Sequence, residues 1–374
     1  MSVDLREVET LRELRTFVTY PLALYRGNPY YVPTLIQDDM HTLRRDRNPA
    51  FDFCEARYWL AYSGKQVVGR LAAIYNPHHL AHWHQAYLRF GWTDFTDDPD
   101  VTAALFGVAE AWAREKGLSA VHGPLGFTDL DREGMLVEGF DELGTMATFY
   151  NYPYYPEHLE RLGYVKDVDW MEYEIKVPSE PNEAIARIAD VVMRRYGLRK
   201  LEVRRKPELM AYARPVLDLL NEEYQSLYSV VPLTERQIDA YVKQYFSFID
   251  PAFAPVILDG EDRVVAFAIT MPSLSHALQK ARGRLFPLGV LHLLRALHTY
   301  DRGDLYLVAV RKEYQGKGVN AAIMHYVNQV FVEKGIHTVE SNPELETNVN
   351  VQGQWKYYER RQHKRRRCYI KHLT

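Results

Sequence analysis

Leu305-Tyr-Leu-Val-Ala-Val310-Arg-Lys-Glu-Tyr-Gln315-Gly-Lys-Gly318-Val-Asn320-Ala-Ala-Ile-Met-His-Tyr-Val-Asn-Gln-Val330 changes its period at the middle. The run from Leu305 to Val310 alternates as a strand does, whereas Ile323, Met324, Val327, Val330 and Phe331 fall at helical spacing. Between them stands a turn with Gly316 and Gly318. A strand, a tight glycine turn and an immediate helix start aim unpaired backbone N–H groups at one point, assisted by the helix dipole, and such a point suits a phosphate. Two familiar phosphate fingerprints do not fit. G-x-x-x-x-G-K-[ST] fails because Lys317 precedes Gly318, and G-x-G-x-x-G fails because Ala321 and Ala322 occupy the place of the third glycine. A nucleotide triphosphatase or a dehydrogenase is thereby disfavoured.

Outside this stretch, composition narrows the class. A chain of 374 residues, 47% hydrophobic and 25% charged, is long enough for two ordinary globular domains. Its formal net charge of -3 argues against wholesale binding of nucleic acid or membrane. Cys54 and Cys368 make neither a disulfide framework nor a zinc pattern, so no metal is expected. The charged N-terminal residues do not read as a signal peptide, and the most apolar segment, Leu285 to Leu297, is broken by Pro287, Gly289, His292 and Arg295. The expectation is a cytoplasmic protein without a membrane span.

The plan occurs twice. Tyr58 to Ile74 reads as a hairpin about Ser63-Gly64, and Pro255 to Ile269 repeats it about Asp259-Gly260. Helices Ala103 to Lys116 and Ala321 to Lys334 both end before a glycine, Gly117 or Gly335, and each leads into a short strand, Ala120 to His122 or Thr338 to Ser341. Each half then closes on a strand, Trp170 to Val177 or Cys368 to His372. The breaker-rich Pro178-Ser-Glu-Pro181-Asn182 divides them into expected domains 1–178 and 182–374.

On these residues the chain resembles the GNAT acyl-CoA N-acyltransferases in a tandem arrangement. Their acyl-CoA loop is Gln or Arg, two residues, Gly, one residue, then Gly or Ala, matched here by Gln315-Gly316-Lys317-Gly318-Val319 with Asn320 replacing the small last residue. The resemblance implies an α/β (α+β) fold of two GNAT-like domains, each with a mixed, mostly antiparallel sheet flanked by helices. It covers nearly the whole chain as a plan, and its motifs lie within residues 304–371. The first copy has Gly91-Trp-Thr-Asp-Phe-Thr-Asp-Asp98 in place of the loop and is expected to have lost its cofactor site. In the second, Gln315, Gly316, Lys317, Gly318, Val319 and Asn320 would hold the pyrophosphate of acetyl-CoA or another acyl-CoA, with Val308, Ala309 and Val310 along the pantetheine arm and near the oxyanion. The acceptor would be a small-molecule or peptide amine attacking the thioester directly.

The family's tyrosine falls at Tyr357 or Tyr358, depending on whether the count starts from Asn350 or from the Tyr-Glu pair. The second register makes Tyr358 the proton donor. Glu340, with Glu344 beside it, is the base candidate at the end of the fifth strand. Other features have blander readings. His78, His79, His82 and His84 read as a histidine-rich loop, and Gly123 to Phe140 as an acidic loop that is either structural or suited to an amine. The apolar insertion Pro272 to Tyr300 either roofs an acyl pocket or packs on the first copy. Arg360 to Arg367 reads as an exposed basic turn, leaving nucleic-acid binding a minor alternative beside an acyl-CoA sensor without catalysis. Acceptor, acyl length and oligomeric state stay open.

Overall fold

The structure, a computed structural model, describes residues 3–180, 182–203, 205–246 and 248–373, and of residue 350 the backbone alone. Pro181 of the expected linker lies outside the described residues. From the N-terminus, β1 (Asp4–Glu7), α1 (Leu11–Leu24) and α2 (Ile36–Thr42) precede the hairpin β2 (Glu55–Ser63) and β3 (Gln66–Tyr75). Then follow α3 (Pro77–Trp83), β4 (Tyr87–Phe95), α4 (Pro99–Glu115), β5 (Ala120–Gly123), β6 (Met135–Glu138), α5 (Tyr154–Arg161) and β7 (Val165–Lys176). The second half opens with α6 (Glu183–Arg195), β8 (Arg199–Lys200), α7 (Lys206–Tyr224), α8 (Glu235–Tyr245), β9 (Val256–Leu258) and β10 (Val264–Pro272). It continues through α9 (Ser275–Ala281), α10 (Gly289–Ala296), β11 (Arg302–Val310), α11 (Val319–Lys334), β12 (Thr338–Ser341), β13 (Glu344–Leu345), α12 (Val349–Gly353) and β14 (Arg360–His372).

Two compact units result, one of Met1–Met171, Leu274–Leu294 and His363–Thr374, the other of Glu172–Ser273 and Arg295–Gln362. In the first, β1 to β4 form an antiparallel meander, β4 runs parallel to β5, and β14 lies antiparallel against β5 with Tyr369 opposite Gly123. Its core is aromatic: Phe90, Phe95, Phe106, Trp112, Tyr155 and Tyr164 are buried together, and a register shift between Gly91 and Asp94 lets Phe90 and Phe95, an odd number of residues apart on β4, share the face that α4 covers. Beside them Arg70 pairs with Asp94 at 2.7 Å, and Tyr25 donates to the same carboxylate. In the second unit β8, β9, β10 and β11 are antiparallel neighbours, β11 is parallel to β12, and residues 174–176 of β7 lie antiparallel against β12.

This closure differs from the expected division at residues 178–182. The chain's last strand completes the first unit, and the strand that ends the first half completes the second. Alternating apolar residues fix which face of a strand is buried and say nothing of which sheet receives its edge.

The basic run is also corrected. It is strand rather than exposed turn, because alternate residues are absorbed by unit 1: Lys364 and Arg366 are buried, donating to Leu143 O and to Phe149 O. Arg365 and Arg367 both reach Asp169, whose carboxyl Arg367 and Lys166 hold below the usual range despite the opposing effect of burial. Charges so neutralised are poor material for a nucleic-acid surface.

Candidate active site

The glycine turn stands between β11 and α11. Gly318 is the N-cap of α11 with φ +86°, a left-handed conformation, and a Cβ on it would sit 2.9 Å from Val192 Cγ2 of α6. Glycine is needed there twice over, for the backbone and for the packing. No side chain caps the helix, and the N–H groups of Gly316, Gly318, Val319 and Asn320 have no acceptor among the described residues. Four open amides at a helix N-terminus form a nest for an anion. Gln315 does not reach outward: its Nε2 donates to Val310 O at 2.9 Å and to Glu223 Oε2 at 2.8 Å, while Glu223 also accepts from Lys312 N. The side chain of Asn320, the departure from the loop pattern, donates to Gln354 Oε1 at 2.8 Å. The ammonium of Lys317 lies over the rings of Tyr196 and Tyr314.

The ladder between β11 and β12 stops early. It joins Arg302 to Thr338 through Leu305 to Ser341, and a last bond runs from Asn342 N to Leu305 O. Beyond this point Arg311 N donates to Val265 of the β10 hairpin, so by strand alternation Val308 and Val310 turn their polar backbone to the other edge. There the Val308 carbonyl accepts from Tyr224 Oη at 3.0 Å and the Val310 carbonyl from Gln315. Their N–H groups face the opening. Ala309 pairs with Phe267 of β10 and offers that edge nothing.

Glu340 belongs to a charged stripe on one face of this sheet. Arg302, Asp304 and Tyr306 share a face by alternation, Glu340 stands opposite Asp304, and Glu174 stands opposite Glu340. Asp304 and Glu340 are buried, and Tyr306 donates to Asp304 Oδ2 at 3.0 Å. Burial, then the Asp304 charge, pushes the Tyr306 phenol well above its ordinary value. Glu174 holds Arg302 and Arg361, which together outweigh its own burial and keep its carboxyl low. Sequence reasoning missed Asp304; the available signal was a lone carboxylate just before an apolar run.

Tyr358 occupies the opposite face. Leu305, Val339 and Ile175 line a crevice there with Met324, Val327 and Phe331 of α11 and with Trp355 and Tyr358, leaving about 10 Å³ of space. Of the two candidate tyrosines, Tyr358 lines this crevice and Tyr357 does not. α12 ends at Gly353, a 3₁₀ turn covers Gln354–Tyr357, and Tyr358 is already extended with its hydroxyl buried and without a partner, whereas Tyr357 is 60% exposed. Burial pushes the Tyr358 phenol up to about 12. Next to it Trp355 donates its indole N–H to Glu344 Oε1 at 2.6 Å, and Glu344 Oε2 has no partner. Burial lifts this carboxyl to about 7 against the opposing hydrogen bonds of Trp355 and Ser341. The structure thus sets Tyr358 beside Trp355, whose indole bonds Glu344, and on the opposite face of the sheet from Glu340.

The first unit differs at the equivalent of the loop. Asp98 is the N-cap of α4, and its carboxylate accepts from Asp100 N where Gly318 leaves α11 open. A fixed negative charge already occupies that helix end. The acidic stretch folds inward: Asp129 and Asp131 are raised to about 6 and Glu133 further, burial being the first cause in each, although their side chains keep some contact with solvent. Buried Arg89 donates to Gly126 O and approaches His79 Nδ1. The histidine run is dispersed, with His78 stacked on Phe53, His79 buried and His84 ending α3. His122, Asp167 and Cys368 bring one ligand atom each within 4.8 Å of the others. After burial, the charge of Arg89 is the next cause that depresses the His122 pKa, and the same charge opposes a cation, so no metal is assigned to this group.

The acetyltransferase (GNAT) family model matches residues 214–363. The chain is 28% identical over 370 residues to Protein YghO of Escherichia coli (strain K12), covering 96% of this chain and 93% of that protein. It is 27% identical over 317 residues to the bacterial ceramide synthase of Caulobacter vibrioides, covering 82% and 80%. Among solved structures it is similar to a tandem GNAT protein from the clavulanic acid biosynthesis pathway, with a TM-score of 0.54, 12% identity and 99% and 98% of the two chains covered. A GCN5-related N-acetyltransferase from Sphaerobacter thermophilus gives a TM-score of 0.51 at 11% identity, over 99% and 95%.

Proposed function

From the match of residues 214–363 to the acetyltransferase (GNAT) family model, we propose that the second unit is an acyl-CoA-dependent N-acyltransferase that forms an amide on a primary amine. The observation that carries this reading is the uncapped glycine turn beside the open edge of β11. Acyl-CoA supplies the thioester. The amides of Gly316, Gly318, Val319 and Asn320 would hold its pyrophosphate, and the N–H groups of Val308 and Val310 suit the amide-bearing arm and the carbonyl oxygen at which negative charge develops.

Two carboxyls are available to take the proton of the amine. Glu344, poised at about 7 with one oxygen unpartnered, matches the requirement of a general base at neutral pH and is our preferred assignment. Glu340 is the alternative on the opposite face, beside Asp304. Tyr358, held protonated by burial, would donate a hydrogen bond to the departing sulfur. Leu305, the last paired residue before the open edge, lines its crevice.

The ceramide synthase relative favours a long-chain amino alcohol as acceptor and a fatty acyl donor over acetyl transfer, since ceramide is a fatty amide of such a base. Thiol release from acetyl-CoA and from palmitoyl-CoA, each with and without a long-chain amino alcohol or pooled small amines, tests both levels. Acceptor-dependent release with an amide product supports transfer. CoA binding without release would make the chain a sensor, and no CoA binding at all would overturn the loop assignment.

A further inference from the structure

The segment between β10 and β11 carries a surface the transfer reaction does not use. From Ser273 to Tyr300 there is no Asp or Glu, while Lys280, Arg282, Arg284 and Arg295 are all present. Within it, Phe286 is 77% exposed, Leu288 61%, Leu291 59% and Leu294 52%, and Lys280, Arg282 and Arg284 are exposed beside them. The leucines recur at three-residue spacing, so Leu291 and Leu294 share one side of α10 and Leu288 stands just before its first residue. Large apolar side chains held in water in a contiguous run mark a contact surface.

The base of the segment is fixed to the first unit. Ser275 Oγ donates to Gly144 O, Gln279 Nε2 donates to Pro29 O and Tyr31 O, and Ile36 N donates to Gly283 O. Arg282 and Gly283 are both left-handed, with φ +48° and +69°, and a Cβ on Gly283 would sit 2.4 Å from Thr34 O. The chain therefore turns sharply at a pinned point and presents residues 284–294 outward.

We propose that this insertion docks on an anionic lipid bilayer, with Phe286, Leu288, Leu291 and Leu294 entering the interfacial region and Lys280, Arg282 and Arg284 meeting the headgroups. A segment that carries cations and no carboxylate of its own around exposed aromatic and leucine side chains is complementary to such a surface, whereas a typical protein partner presents both signs of charge. Among the described residues no helix is long and apolar enough to cross a membrane, so the contact is peripheral. The inference does not depend on which amine is acylated.

Vesicle co-sedimentation tests it with the full chain. Equal parts phosphatidylglycerol and phosphatidylcholine should bind the protein at least tenfold more strongly than phosphatidylcholine alone, and raising salt from about 0.1 to 0.5 M should weaken binding several-fold. Phe286→Ser with Leu291→Ser, and separately Arg282→Glu with Arg284→Glu, should each lower binding about tenfold. Leu11→Ser, exposed in the same unit outside the segment, should not change it. All substitutions lie at exposed positions, and unchanged thermal melts verify folding. Binding to neither vesicle, equal binding to both, or parental binding by both double variants would overturn the proposal. So would a dimer in light scattering that the Ser variants make monomeric without any vesicle binding, which would assign the face to a second copy of the chain.

Discussion

Trp355 donates its indole N–H to Glu344 at 2.6 Å inside the second unit, and that bond, even with the one from Ser341, does not offset the burial of the carboxyl. Glu344 titrates at about 7 in the folded chain and near the ordinary ~4.3 when unfolded. A group raised on folding stabilises the fold fully below its unfolded pKa, and that contribution is lost as pH rises through about 7. The loss is roughly 4 kcal/mol at ~1.36 kcal/mol per unit. Glu344→Gln should therefore flatten the fall in melting temperature of the second unit between pH 5 and 8. It should also remove an inflection near pH 7 in kcat/KM and lower kcat about 10²-fold, the usual effect of losing a general base. If Glu340→Gln abolishes that inflection and Glu344→Gln keeps it, the base is Glu340.

Gly318→Val places a branched side chain at φ +86° and against Val192, so it should cost stability as well as ligand binding. A left-handed non-glycine residue costs about 1–2 kcal/mol before the crowding is counted. The expected result is a lower melting temperature together with loss of CoA binding in titration calorimetry. Gly316→Ala has open space around its Cβ and should retain more stability. Parental CoA affinity in folded Gly318→Val would place the pyrophosphate elsewhere.

The contrast between Gly318 and the strand exchange indicates what the chain discloses. Local chemistry was legible: the turn at Gly64 and the end of α11 at Gly335 each follow from residues within a few positions. Thr338–Ser341 is a strand with the bounds its sequence suggests. The destination of β14 was not legible, since pairing with β5 joins positions some 250 apart and depends on complementarity that no short window contains. The basic run misled for the same reason, as Asp169, Phe149 and Leu143 lie far from it in sequence. At the site, residue types were legible and faces were not: Tyr358 and Glu340 each have the right chemistry, yet one β-strand separates them to opposite sides.

Tyr358→Phe separates stability from chemistry. The hydroxyl is buried and unpartnered, so its removal should leave the melting temperature unchanged or raise it, by an amount equivalent to about 1 kcal/mol. If the phenol serves the departing sulfur, kcat falls roughly 10²-fold with CoA affinity nearly unchanged, and Tyr357→Phe, at the surface, does little. A kcat equal to that of the parent would make Tyr358 a core residue only.

The two helix starts predict the stoichiometry. Asp98 supplies α4 with its own carboxylate, whereas the amides before α11 are open, so the first unit should repel a pyrophosphate that the second accepts. Calorimetric titration with CoA should give one site per chain, and Gly318→Val should remove it. Asp98→Asn keeps the cap geometry and withdraws the charge, which leaves β4 without a glycine turn to admit the phosphates. That variant should still bind one CoA, at parental affinity. Two sites in the parent chain would show that a capped helix without the glycine turn suffices, and a second site appearing only in Asp98→Asn would show that charge alone silences the first unit.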